Sequence, residues 1–400
     1  MTENTKLSIP LLEFVALMAL VFSVVALAID AMLPALGEIG QELGATHAND
    51  PQLIISIFLL GIVFGQAFFG PFSDSKGRKP AIYIGFAVFS IGCLVSIFST
   101  SFSGMLAGRF LQGLGAAGPR ITVVALIRDL FEGPEMARVM SLIISIFILV
   151  PIVAPAMGQA LLIVADWRAI FYAFLGLTII SLTWFSVRQE ETLAPGHRIP
   201  FSVRRVMGRV REIGGTRVTM GYTVVTGLMS GSFIAYLNSA QQIFQLQYGL
   251  GRMFPLYFAM LAFFLGLATL LNSWLVVRFG MQVLAGTALW IIAIISIIFL
   301  PFSWALAGHP PLWTLMIYLM VSFFAVGLLF GNLNALAMEP LGHVAGTGSA
   351  FVGFVSTLIA VAAGTLIGQS YNGTILPLVT GYAVLSLFSL IMMRWAEAGR

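Results

Sequence analysis

Apolar residues run in long unbroken stretches along this chain, and the polar residues gather between them. Twelve such stretches fall at about 11–33, 52–72, 80–99, 104–127, 139–164, 168–187, 218–240, 254–276, 281–302, 312–336, 345–369 and 375–394. Each is close to the ~20 residues that an α-helix needs to cross a hydrocarbon core about 30 Å thick. The stretches are continuous rather than alternating, which excludes a membrane β-barrel. The pattern predicts an all-α integral membrane protein with twelve transmembrane helices. The longest polar segment, 189–217, divides them six and six. The predicted organisation is an N-terminal six-helix bundle over 1–188, a central linker over 189–217 and a C-terminal six-helix bundle over 218–400, with a cavity expected between the bundles. Within the linker, Val203, Val206, Met207, Val210 and Ile213 recur at helical spacing among Arg204, Arg205, Arg209 and Arg211. An amphipathic helix lying on an anionic leaflet accounts for this, with a regulatory target site as the alternative.

Composition agrees: 59% hydrophobic, 9% charged and a mean hydropathy of +0.99 exclude a soluble domain. The net charge of +4 does not point to nucleic acid, because the basic residues are sorted by side. All but Arg109, Arg120, Arg168 and Arg252 fall in termini and loops that share one face of the membrane. The positive-inside rule then places both termini in the cytoplasm. The first stretch lacks a basic leader and a small-residue cleavage site, so it reads as a retained span. The single cysteine, Cys93, lies inside the third stretch, and His47, His197, His309 and His343 are scattered through loops. With no phosphate-binding glycine loop either, no metal, no cofactor and no direct ATP drive is expected.

In so apolar a chain the few polar residues inside spans carry the chemical information. Asp30 stands in the first span about a turn before Pro34. An acid at mid-membrane costs about 2.5–3.5 kcal/mol on insertion scales, so it is retained where it faces a cavity and pairs or exchanges a proton. The alternative is a helix-end acid at headgroup depth. Glu13, at the start of the same span, reads as an ordinary ionised acid at a helix N-terminus. Arg109 opens the fourth span in Arg109-Phe110-Leu111-Gln112-Gly113, where it either pairs reversibly with Asp30 or reaches for the interface. Arg120 follows Pro119 at mid-span, about three turns on and on nearly the same helix face. It is open between binding an anionic or zwitterionic substrate, pairing with Asp30, and bonding a carbonyl at the proline kink.

Two further groups concern movement and passage. Pro151, Pro155 and Gly158 in the fifth span suggest a close, hinge-like helix contact. Tyr236, Asn238, Gln241 and Gln242 near the end of the seventh span either line a substrate pathway or make interhelical hydrogen bonds. Between the second and third spans, Gly70-Pro71-Phe72-Ser73-Asp74-Ser75-Lys76-Gly77-Arg78-Lys79 reads as a tight charged turn. Asp129, closing the fourth span, offers Arg78 a second acid. An Asp–Arg–Asp cluster there would latch the half-bundles and break on opening, unless it is a solvated ion network worth little. Val277-Arg278-Phe279-Gly280, after the eighth span, echoes that turn faintly and supports duplication of a six-span half.

These motifs resemble those of the major facilitator superfamily. Gly70-x3-Asp74-x2-Gly77-Arg78-Lys79 matches its loop motif, Arg109-x2-Gln112-Gly113 looks like the fourth-helix motif of proton-coupled antiporters, and Ala154-Pro155-x2-Gly158-Gln159 is similar to the fifth-helix antiporter motif, with Gln159 in place of its second glycine. Ile29-Asp30-Ala31-Met32-Leu33-Pro34, Arg128-Asp129, Asp166-Trp167-Arg168-x2-Phe171, Glu191-Thr192-Leu193 and His343-Val344-Ala345-Gly346-Thr347 further resemble the bicyclomycin/chloramphenicol-resistance (Bcr/CflA) drug:proton antiporters. The resemblance implies that Asp30 and Arg109 couple protons to exchange and that Asp74, Arg78 and Asp129 control an inner gate. Arg120 departs from the pattern and favours neutral, zwitterionic or anionic substrates over cationic drugs. The expected protein is a monomeric, proton-driven exporter of small amphipathic compounds in the bacterial inner membrane, whose partners are substrate, protons and lipid. A proton-coupled importer of a metabolite and a non-transporting membrane sensor are the alternatives.

Overall fold

The computed structural model describes residues 9–194, 196, 198, 211 and 213–398, and of 134, 137 and 342–347 the backbone alone. The described chain contains twelve helices long and apolar enough to cross a membrane. In unit 1 these are α1 (Leu11–Asp30), continued by a 3-10 turn at Leu33–Ala35 and by α2 (Leu36–Glu42); α3 (Leu53–Lys76); α4 (Arg78–Ile97); α5 (Phe102–Leu130); α6 (Gly133–Val164); and α7 (Arg168–Arg188). Unit 2 holds α8 (Arg217–Gln241), α9 (Phe254–Phe279), α10 (Met281–Ala305), α11 (Leu312–Met338), α12 (Ala345–Gln369) and α13 (Leu376–Glu397).

The chain divides into Met1–Ala45 with Ile57–Phe201, and Thr46–Ser56 with Ser202–Arg400. The last of the three breaks lies within the expected linker. The first precedes α3 and the second lies inside it, so the stretch 46–56 belongs with the C-terminal helices rather than with residues 1–188. Its polar side chains explain why: Asn49, Gln52 and Ser56 bond to α8, α12 and the residues that follow them. Of the expected linker helix, Val203, Val206, Met207 and Val210 lie outside the described residues.

Two sequence expectations change in detail. The first span does not end near 33 but runs on to Glu42. Pro34 turns the backbone into a 3-10 step without ending the helical path. Residues 70–76 are not a turn either. The helix passes through Pro71, which forfeits only the bond to the Ala67 carbonyl, and ends with Gly77 N–H donating to Ser73 at 3.1 Å. The turn is one residue, Gly77 at φ 115°, a conformation that excludes side chains. Gly280 makes the matching one-residue turn between α9 and α10 at φ 80°, which strengthens the faint internal repeat.

Glycines set the helix spacing inside each unit. A Cβ on Gly113 would strike the Phe58 carbonyl, and one on Gly61 the Phe110 carbonyl, so α3 and α5 touch backbone to backbone. Gly85 and Gly115 do the same for α4 and α5. In unit 2, Gly227 and Gly364 allow α8 to lie directly on α12.

Candidate functional site

Two of the buried charges of unit 1, Asp30 and Arg109, meet where α1 ends. Asp30 is the last residue of α1 and 5% exposed. The helical path continues twelve residues to Glu42, about 18 Å, so Asp30 is an interior acid rather than a headgroup one. The break beyond it leaves carbonyls without helical donors. Ala31 N–H takes that of Leu27 at 3.1 Å, and Arg109 Nη2 donates to that of Ala28 at 2.9 Å. Arg109 is thus a cationic C-cap of α1, placed where the helix dipole favours positive charge. It is completely buried, and its Nη1 donates to Gln112 Oε1 at 2.6 Å. Gln112 in turn donates to Ser96 on α4 at 3.1 Å, and the guanidinium lies 4.3 Å from the centre of the Phe58 ring. Arg109 and Asp30 are neighbours on the path but not ion-paired: among the described residues Asp30 makes no salt bridge.

Gly158 meets the same spot from α6. Any Cβ there would collide with the Ala31 carbonyl, one residue past Asp30. The close contact expected from Pro151, Pro155 and Gly158 is therefore made on the acid's own turn, while α6 stays helical through both prolines.

Arg120 is different. It is partly exposed, and among the described residues it makes no hydrogen bond and no ion pair. It lies ten residues from the end of α5, about 15 Å, whereas Asp30 lies nineteen residues, about 28 Å, from the start of α1 at that same end. The two are at different depths.

That end of unit 1 carries the cluster around Gly77. Arg78, 6% exposed, donates from Nη1 to Asp74 Oδ1 at 2.7 Å and to Ser73 Oγ at 3.0 Å. Its Nε and Nη2 form a two-point bond to Asp129, at 2.7 and 3.1 Å. Glu191 adds a partner that the sequence reading had only as a family motif. Its carboxylate accepts from the Arg78 and Lys79 N–H groups at 2.9 and 3.0 Å and so caps α4, while Thr192 Oγ1 donates to Asp129 at 3.0 Å. Lys79 reaches the Gln189 carbonyl at 2.7 Å. All these residues lie in unit 1, so the cluster ties α3, α4, α5 and the head of the linker together instead of latching the half-bundles. Gly70 takes no part in its bonds. Glu13 departs from its bland reading as well, forming a two-point pair with Arg188 at 2.6 and 2.7 Å and accepting from Trp184. The signal was available in the basic residue closing span six, but no spacing rule connects positions that far apart.

In unit 2 the polar end of α8 is occupied by protein. Asn238 donates to Ser56 at 2.9 Å, Gln241 accepts from Gln52 at 3.2 Å, and Gln242 donates to Asn49 Oδ1 at 2.7 Å and to the Ala48 carbonyl at 3.2 Å. Asn49 donates onward to the Gln369 and Tyr371 carbonyls at 2.9 and 2.8 Å, and Gln369 returns a bond to Asn49 at 2.8 Å. Of the two roles the sequence left open for these residues, the structure displays interhelical bonding. Tyr236 packs in an aromatic group, edge-on to Phe323 with centroids 4.7 Å apart. Just beyond, burial and then the Tyr371 phenol push Tyr248 up to about 12, keeping it a donor to the Pro310 carbonyl at 2.6 Å.

The family model of the Major Facilitator Superfamily matches residues 18–365. The chain is 31% identical over 343 residues to the MFS-type transporter YdgK of Bacillus subtilis, covering 85% of this chain and 84% of that one. It is 30% identical over 360 residues to a bicyclomycin resistance protein homolog of Haemophilus influenzae, covering 88% and 87%. Among solved structures, the D-xylose-proton symporter superposes with a TM-score of 0.72 at 15% identity over 95% of both chains. The human organic anion transporter MFSD10 does so with 0.65 at 17% identity, over 96% of this chain and all of the other. At such identities these two speak for the fold alone. With twelve spans, the one-residue glycine turn and its Arg78–Asp129 pair, and relatives of this extent, the chain belongs to the major facilitator superfamily of membrane transporters and is of the bicyclomycin/chloramphenicol-resistance type.

Proposed function

We propose that this chain is a proton-coupled exporter of small amphipathic compounds, working by alternating access in the bacterial inner membrane with both termini cytoplasmic. The observation that carries the reading is Asp30: a buried acid inside a span, without an ion pair among the described residues, on the turn that Arg109 caps and Gly158 touches. A carboxyl so placed can take up a proton without first giving up a salt bridge. Because Arg109 holds the carbonyl two residues earlier, a small shift of the α1 end would bring the cation to the ionised carboxylate. Protonation at Asp30 and the geometry of α1 are in this way one event, and substrate and proton compete for it. Gly158 lets α6 report that shift, with Pro151 and Pro155 as the flexible part of the same helix.

The inner gate is assigned to the cluster of Asp74, Gly77, Arg78, Lys79 and Asp129, with Gly70 in the helix leading to it. Its bonds fix the ends of α3, α4 and α5 in one arrangement of unit 1, and opening of that side would change that arrangement. Arg120 is the proposed substrate contact. Tyr236, Asn238, Gln241 and Gln242 have protein partners in this state and would meet substrate only when those bonds exchange. The bicyclomycin-resistance relative supports efflux over uptake.

The test is reconstitution. In proteoliposomes, Asp30→Asn is expected to abolish exchange driven by a pH gradient while the protein still expresses and inserts. Unchanged transport would overturn the reading, and substrate accumulating along with protons would make the protein an importer.

A further inference from the structure

The first turn of α4 is short of acceptors and rich in positive charge. A helix leaves its first four N–H groups without internal partners. Gly77, the residue before α4, has no side chain to offer them, and its φ of 115° keeps any capping side chain out of that position. The turn itself holds no acid and begins with Arg78 and Lys79, two cations at the end where the helix dipole disfavours them. All four positions are nevertheless accounted for. Gly77 N–H donates to the Ser73 carbonyl at 3.1 Å, and Pro80 has no N–H. The remaining two, of Arg78 and Lys79, go to the two separate oxygens of Glu191 at 2.9 and 3.0 Å. The cap of α4 is thus delivered from the head of the linker, 113 positions beyond Arg78. A Cβ on Gly77 would lie 2.6 Å from Glu191 Oε2, so the glycine also makes room for that carboxylate.

The same short segment holds the acid that Arg78 pairs with. Thr192 Oγ1 donates at 3.0 Å to Asp129 Oδ2, the oxygen that Arg78 Nε reaches at 2.7 Å. Leu193 N–H donates to Glu191 Oε1 at 3.0 Å and steadies the carboxylate, while Lys79 Nζ donates to the Gln189 carbonyl at 2.7 Å. The result is a closed ring. It runs from the Arg78 backbone to Glu191, across one peptide bond to Thr192, from that hydroxyl to Asp129, and back through the guanidinium to Arg78. No member of such a ring moves alone. A shift of Arg78 away from Asp129 either carries the linker head with it or breaks the bonds to Glu191.

We infer that Glu191 is a positioning residue of the inner gate, and that the linker head over 189–193 is part of that gate. Glu191 bonds to the Arg78 main chain and leaves the guanidinium to Asp74 and Asp129. It fixes the point from which the side chain reaches both acids together. Without it the first turn of α4 frays, and the two-point bond to Asp129 loses the geometry it depends on. The linker is in this way wired to the gate, and a displacement of its head is felt at Arg78. The inference rests on the reading of this cluster as the inner gate.

The experiment uses the full chain in lipid nanodiscs. Spin labels are placed by Lys76→Cys at the end of α3 and Arg128→Cys near the end of α5, in a Cys93→Ala background. Their separation reports whether those helix ends keep one arrangement. The wild type is expected to give one narrow distribution, and Asp129→Asn, which breaks the pair itself, to add a second population. Glu191→Ala should add the same population, about fivefold above its wild-type level, the scale set by the loss of one helix cap. Glu191→Gln, which keeps one acceptor, should fall between. Melting in the same nanodiscs closes a double-mutant cycle: the fall caused by Glu191→Ala should shrink by about half in the Arg78→Leu protein, whereas a plain backbone cap costs the same in both. A wild-type distribution in Glu191→Ala, or a melting effect of equal size with and without the Arg78 guanidinium, overturns the inference while the gate stands. Labels that ignore Asp129→Asn would instead remove the gate, and the inference with it.

Discussion

Arg109 and Arg120 stand on one helix, eleven residues apart and on nearly the same face, yet they lead opposite lives. Arg109 is wholly buried and has a carbonyl, an amide oxygen and an aromatic ring around its guanidinium. Arg120, nearer the other membrane surface, is partly exposed and has no partner among the described residues. A buried charge is tolerated only when its hydrogen-bonding capacity is met. Arg109 meets it by terminating α1, so it is part of the fold as well as of the proposed coupling. Among the described residues Arg120 makes no bond that holds unit 1 together, and on the proposed reading its charge is left for substrate.

The contrast can be broken in a graded way. Arg109→Leu should have the largest effect. It strands the Ala28 carbonyl and the Gln112 side chain, each worth about 1–3 kcal/mol, and should lower the melting temperature in detergent sharply. A variant melting with the wild type would show that Arg109 is no cap. Gln112→Ala comes next, since Arg109 keeps Ala28 and Phe58 but loses one charge-assisted bond, about 1.5–3 kcal/mol. The same melting experiment should place it between Arg109→Leu and the wild type. Arg120→Leu should be the mildest and of opposite sign, melting at or slightly above the wild type, because it removes an unpaired cation from the membrane interior. A fall comparable to that of Gln112→Ala would mean that Arg120 has a structural partner after all.

Much of this architecture was legible in the chain. The bilayer forces every backbone group into helices of a set minimum length, so apolar run length alone places twelve spans near where they lie, missing mainly the run-on of the first to Glu42 and of the seventh to Gln247. The Arg78–Asp129 pair was legible too, because Arg78 opens the third span and Asp129 closes the fourth, at one surface. Pro71 misled, since a proline near a helix end costs a single bond and need not break it. The allegiance of residues 46–56 to unit 2 was not legible, as it depends on amide groups meeting across more than 180 positions. Glu13 and Glu191 were hidden for a similar reason. A carboxylate's partner is decided by three-dimensional proximity, and hydrophobic period carries no information about it. At Asp30 the residue type announced an unusual site, but only the structure reveals that Arg109 grips the backbone of α1 and forms no ion pair with the acid.

The bonds that fasten residues 46–56 to α8 and α12 come from amides, hydroxyls and backbone carbonyls. The Gly77 cluster, by contrast, is held by two carboxylates around one guanidinium. On the proposed orientation the first faces the medium and the second the cell. A bacterium buffers its interior but must accept whatever acidity and salinity its surroundings impose. Amide contacts are indifferent to both, so this outward fastening would hold equally well in brine, acid or fresh water, whereas the Gly77 cluster relies on ionic attraction on the sheltered side.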